Sequence, residues 1–145
     1  PDVIVHSTSS GGTQAGLVAG CALAGVRTRV IGISADEPAA SLSADIRRIL
    51  DGLVDLIGPG GPHARTLADA KIEIDDRFVG DGYGVPTPAS REAIELVART
   101  EALFLDPTYT AKAMAGLIAQ IRSKVFQETE TVLFWHTGGQ VGMFA

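Results

Sequence analysis

Cysteine is almost absent from the sequence: Cys21 is the only one in 145 residues. No intrachain disulfide can form, and the composition suits a reducing, cytoplasmic setting. Cys21 sits in an apolar helical pattern and reads as a small buried hydrophobe. Basic runs are missing too. Lys and Arg number 12 against 17 Asp and Glu, a formal charge of −5. Nucleic-acid binding depends on neutralising phosphates with such residues, so nucleic acid is not an expected partner. The apolar stretches are short and interrupted, giving no signal-peptide or transmembrane pattern and no membrane partner. Two nucleotide signatures are also lacking: no Gly-Lys-Ser/Thr ends a phosphate loop, and no Gly-x-Gly-x-x-Gly follows a strand. Neither an internal repeat nor a linker is evident.

What is present points to one compact α/β domain with many tight turns: 46% of residues are hydrophobic and 17 are glycine. The stretch from Val3 to Leu23 organises the rest. A β-branched run (Val3, Ile4, Val5) gives way to Thr8, Ser9, Ser10, Gly11 and Gly12, and a small-residue helix begins near Thr13. Glycines there let backbone N–H groups approach a ligand closely. The hydroxyls of Ser9, Ser10 and Thr13 add donors at the positive end of a helix, where an anion is favoured. This turn reads as a phosphate cradle; a bare Gly-Gly turn made only by strand-to-helix geometry is the alternative.

Further along, Gly25 ends the first helix and Thr28–Ile33 reads as a second buried strand, so the pair forms a parallel βαβ unit. Ser34–Glu37 is a polar exit loop, and Leu42, Ile46, Ile49, Leu50 and Leu53 recur at helical spacing from Pro38 to Asp55. Ile57–Ala64 reads as a Gly/Pro loop with His63 at the surface, and Ile72 and Ile74 alternate in a short strand. Val79–Pro86 sets Tyr83 among three glycines, on the edge of a mobile loop. A helix spans Pro88–Thr100 with Thr87 as its cap. Ala102–Leu105 reads as a strand stopped by Pro107, and Thr108 or Thr110 caps a helix running from Lys112 to Arg122. Thr131–Trp135 is a last buried strand, ending in His136-Thr137-Gly138-Gly139.

Four strand ends (STSSGG, ISAD, LDPTYT and HTGG) are thus rich in hydroxyls and glycine. In an open parallel sheet ligands bind at the carboxyl ends of strands, so one shared site is expected there. The fold expected is an open, mostly parallel sheet with helices on both faces.

SSGGTQAGL, DGYGVP, LDPTYTAKAMAGL and FWHTGG together, in this order from Val3 to Ala145, resemble one family. They are similar to the C-terminal part of the pyridoxal-phosphate enzymes grouped as D-cysteine desulfhydrase and 1-aminocyclopropane-1-carboxylate deaminase, of tryptophan-synthase-β-like fold (fold type II). The resemblance implies pyridoxal 5′-phosphate as cofactor, its phosphate held by Ser10, Gly11, Gly12 and Thr13. It implies that Tyr83 and Tyr109 face ring and substrate as catalytic residues, and that Thr137, with Gly138, meets the pyridine nitrogen. Thr110 is likewise expected at the cofactor, in the position where true deaminases carry a glutamate. A hydroxyl in place of that carboxylate gives a weaker electron sink, which suits β-elimination of thiolate from D-cysteine to pyruvate, ammonia and sulfide. Ring opening of the cyclopropane acid is the alternative activity, and a non-catalytic module that binds a phosphorylated ligand or supplies an interface is a third.

Such enzymes join the cofactor to a lysine. The resemblance puts that lysine in an N-terminal half not contained in residues 1–145. Lys112 matches a different family lysine, and Lys71 and Lys124 match nothing catalytic. With its Pro1-Asp2 start directly before a strand, the chain is expected to be a single partial domain, inactive alone. Its expected partners are a small amino-acid substrate, the missing half and further copies in a homo-oligomer, such as a dimer.

Overall fold

Strand β1 (Val3–Thr8) is buried along its whole length, being one of the two inner strands of the sheet with helices on both faces. The structure is a computed structural model that describes residues 1–139 and residue 142. Nine elements follow in the order β1, α1 (Gly12–Leu23), β2 (Arg29–Ser34), α2 (Ala39–Ile57), α3 (Pro62–Ala68), β3 (Glu73–Asp75), α4 (Pro88–Glu101), α5 (Thr110–Arg122) and β4 (Val132–Trp135). The strands lie in the order β3-β2-β1-β4, and every pairing is parallel, as the βαβ reading expects. Val3 pairs with both Arg29 and Val132, so β1, β2 and β4 run in step toward the same edge.

Helices cover both faces. On one, Ala15, Val18 and Ala19 of α1 meet Ile46 and Leu50 of α2, Leu67 of α3 and Val30 of the sheet. On the other, Val3, Val5, Ile31 and Ile33 pack against Ala113 and Leu117 of α5. Each such aliphatic side chain contributes about 1.5–3 kcal/mol when fully buried. Gly116 brings α5 close to the sheet, since a Cβ there would stand 2.8 Å from Ile33 Cδ1. Helix α4 reaches the core through α5, its Ala93 and Val97 meeting Ala111 and Ala115. No helix among the described residues is long and apolar enough to cross a membrane.

Four local expectations need correction. The Gly/Pro stretch holds a helix, α3, because Pro62 supplies a preset φ at its first turn. Ala102–Leu105 forms no strand; Ala102 closes α4 at φ 54°, and Leu103 and Phe104 are 53% and 64% exposed. An apolar run becomes a strand only where a neighbouring edge takes its backbone hydrogen bonds, and among the described residues none does. Neither Thr108 nor Thr110 caps α5: Asp106 does so, accepting from the backbone N–H groups of Thr108 (2.9 Å), Tyr109 (2.7 Å) and Thr110 (2.9 Å). Cys21 is half-buried, near the end of α1. Thr87 does cap α4, in a reciprocal box with Ser90.

Candidate functional site

A cleft of about 330 Å³ opens at the carboxyl edge of the sheet. It is lined by Ser7 to Gly11 and Thr13 from the β1–α1 turn, Tyr109 from the start of α5, and Thr137 to Gly139 after β4. Three of the four strand ends singled out in the sequence therefore meet in one place. The fourth touches it indirectly, through Ser9 Oγ donating to Asp36 Oδ2 at 2.6 Å.

The turn into α1 is built as an anion cup. Gly11 adopts φ 78°, which glycine tolerates best, and a Cβ on it would stand 2.7 Å from Ile46 Cγ1. Gly12 then opens the helix, whose first turn contains no acidic residue. The free N–H groups and the positive end of the dipole thus point into a space bordered by hydroxyls. Ser7 Oγ and Thr8 Oγ1 are buried there without hydrogen-bond partners among the described residues. Buried hydroxyls ordinarily find partners, so a cleft edged by two orphans fits a polar ligand. Ser7 and Gly139 lie within the STSSGG and HTGG turns and line the cleft, although neither is expected individually as a site residue. Ser7 continues the alternation of Val3 and Val5 along β1, which is the signal that could have found it.

Tyr83 and Tyr109 come together, hydroxyl to hydroxyl, with rings edge to face and centroids 5.7 Å apart. Only Tyr109 lines the cleft; Tyr83 stands beside it and is 58% exposed. The Tyr109 phenol is pushed up to about 12, first by its bond to Tyr83, then by burial, with the charges of Asp36 and Asp106 adding. At neutral pH it keeps its proton and can donate it in a hydrogen bond.

Thr110 is placed differently from the expectation. It is fully buried and absent from the cleft lining. Its hydroxyl donates to Asp106 Oδ2 at 2.6 Å and accepts from the Asp106 N–H at 2.9 Å. Its one proton is thus committed to the loop beneath the cleft. Asp106 also braces the opposite wall: Gly139 lies so close that a Cβ would collide with the Asp106 carboxylate. Among the described residues, no charged side chain, lysine included, lines the cleft. Lys112 is fully buried, its Nζ donating to Ala35 O (3.0 Å), Val79 O (2.8 Å) and Gly82 O (2.7 Å). An amine so engaged is no covalent anchor, in agreement with the sequence reading.

Fold and cleft together define an α/β protein with an anion cup at the carboxyl edge of a parallel sheet. Comparison with known proteins gives that class its family: the profile described as "Pyridoxal-phosphate dependent enzyme" matches residues 1–138, and the chain belongs to that family. Enzymes of this family use pyridoxal phosphate. The chain is 38% identical over 138 residues to the 1-aminocyclopropane-1-carboxylate deaminase of Burkholderia multivorans, covering 95% of this chain and 40% of that protein. It is 39% identical to the deaminase of the same name from Variovorax paradoxus, again over 95% of this chain and 40% of that protein. A solved structure described as an ACC deaminase homologue superposes with a TM-score of 0.75 at 31% identity, covering 98% of this chain and 41% of that one. The chain therefore spans about 40% of the length of the curated relatives it matches. These relatives carry the deaminase name, so the comparisons favour the second of the two activities over the desulfhydrase reading.

Proposed function

We propose that this chain is the phosphate- and ring-holding portion of a pyridoxal-phosphate enzyme acting on a small amino acid, with 1-aminocyclopropane-1-carboxylate as the first substrate to test. The observation that carries the reading is the single cleft uniting Thr13, Tyr109 and Thr137. Its residues suit the cofactor: a cup for an anion, orphaned hydroxyls beside it, and no carboxylate among the described residues that line it. Ser10, Gly11, Gly12 and Thr13 would hold the phosphate, while Thr137 and Gly138 would lie along the ring. The cofactor, when bound, supplies the electron sink for the pair left at the substrate α-carbon. Tyr109, protonated at neutral pH and backed by Tyr83, orients the substrate and holds a proton at its hydroxyl. The lysine and the remaining cleft walls come from the segment that completes the relatives' length. Leu103, Phe104, Leu133 and Trp135 are exposed apolar residues around β4, whose outer edge has no strand partner among the described residues, and would be covered by it.

D-cysteine β-elimination is the second reading, favoured by one observation. The cleft lining offers no carboxylate that would keep a ring nitrogen protonated, and Thr110 occupies the position where the family resemblance puts the deaminase glutamate. The deciding experiment joins the chain to a segment completing the relatives' length, adds pyridoxal phosphate and offers both substrates. Release of 2-oxobutanoate and ammonia from the cyclopropane acid supports the deaminase. Sulfide and pyruvate from D-cysteine support the lyase. A folded, cofactor-loaded protein that yields neither overturns both and leaves a non-catalytic module.

A further inference from the structure

The segment 79–85 carries Tyr83 yet has little to hold it. Gly80, Gly82 and Gly84 all adopt left-handed φ values, 67°, 138° and 72°. Its own backbone hydrogen bonds are long, 3.5 Å from Val79 N to Asp76 O and 3.3 Å from Val85 N to Gly82 O. A chain of this kind samples many conformations and gives an aromatic ring no fixed place.

Lys112 supplies what the loop lacks. Its three contacts, all 3.0 Å or shorter, reach Ala35 just past β2 and both Val79 and Gly82 in the loop. An ammonium has three N–H donors where a neutral amine has two, so three carbonyl acceptors select the charged form. No carboxylate is among these partners, and burial disfavours the charge, with Asp36 the nearby anion opposing that effect. A methionine would fill the same space without desolvating a charge. Only the ammonium can join α5, the end of β2 and the tyrosine loop at one point.

We propose that Lys112 is a positioning residue that latches the 79–85 loop to the body of the fold and so holds Tyr83 against Tyr109 at the side of the cleft. The inference rests on reading those tyrosines as part of the site, but its test needs no cofactor. The sequence has two tyrosines and one tryptophan, so selective labelling gives two tyrosine ring signals and one indole reference. In the wild-type chain a ring-to-ring nuclear Overhauser contact is expected. Lys112→Met should abolish it and speed amide exchange at Gly80–Gly84 about tenfold or more, while β1 and α1 amides and the Trp135 indole stay unchanged. Lys112→Arg, which keeps a charged donor, should restore the contact in part. A folded Lys112→Met chain that keeps both the ring contact and slow loop exchange overturns the proposal.

A measurement on the wild-type chain guards against a variant that does not fold. Under an amine-acylating reagent, the exposed Lys71 and Lys124 should react freely. Lys112 should react only as fast as the loop opens, at the exchange rate of its amides, and Tyr83→Phe should speed both together. Acylation of Lys112 as fast as Lys71, or at a rate unrelated to loop exchange, overturns the latch. Failure to bind pyridoxal phosphate would leave these readouts intact and count against the proposed function alone.

Discussion

At the scale of single residues, two adjacent glycines do different work. A Cβ on Gly12 would meet nothing within 4 Å, whereas one on Gly11 would strike Ile46. Gly12→Asp should therefore fold normally, within about 0.5 kcal/mol of the parent, yet lose affinity for inorganic phosphate and for the cofactor. Its carboxylate would occupy the positive end of α1. Calorimetric titration beside a thermal melt checks this, and retained phosphate affinity would remove the cup. Gly11→Ala should do the reverse, costing roughly 2 kcal/mol or more because an L-residue is both strained at that φ and overpacked. Its signature is a lowered melting temperature.

At the scale of elements, Asp106 organises more than its place in the chain suggests. It caps α5, fixes Thr110 and abuts Gly139, so it links the loop before α5 to the turn after β4 across the cleft. Asp106→Ala should cost about 3 kcal/mol, the sum of a lost cap and orphaned N–H groups, read from the denaturant midpoint. A second tie runs from β3 to α5, where Asp75 accepts from Arg77 and from Gln120 Nε2 at 3.0 Å. Burial raises the Asp75 carboxyl, but those hydrogen bonds more than offset it and leave it below its ordinary 3.8. A depressed carboxyl stabilises the fold above its unfolded pKa and loses that contribution as pH falls through the folded one. Asp75→Asn should thus cost about 1 kcal/mol at pH 7, modest because Arg77 is largely exposed, with the difference vanishing as pH falls below 3.8.

The same elements show what could be read without coordinates. β1, β2 and β4 were legible because each is a short β-branched or aromatic run entering a polar turn, rich in glycine after β1 and β4, and parallel order followed from the helices between them. The cleft was legible as a meeting of those turns, and Ser10, Gly11, Thr13, Tyr109, Thr137 and Gly138 all line it. The bond from the Thr110 hydroxyl to Asp106 is not legible in the sequence, because motif position does not tell which way a hydroxyl bonds. Asp106 before Pro107 is itself a helix-start signal, which competes in the sequence with the nearby threonines. The partners of Lys112 were beyond reach, being backbone carbonyls 30, 33 and 77 residues away, which no side-chain pattern announces.

At the scale of the whole molecule, no strand among the described residues pairs with the outer side of β4. β4 is an edge strand whose Leu133 and Trp135 are 39% and 45% exposed, with Phe104 nearby. Trp135 is the only tryptophan, so its emission reports what covers this margin. Adding the segment that completes the relatives' length should blue-shift the emission and raise the melting temperature by several degrees, in proportion to the apolar area covered. Unchanged emission on stable association would place the contact elsewhere.

The order of the strands also has a temporal meaning. The cleft takes one wall from Ser7–Thr13 and the facing wall from Thr137–Gly139, pieces separated by nearly all of the chain. During synthesis Ser7–Thr13 leave the ribosome before Thr137–Gly139, so the two lone hydroxyls of the first wall stay wet until the second follows. The cleft is therefore complete only once both ends of this stretch have been made.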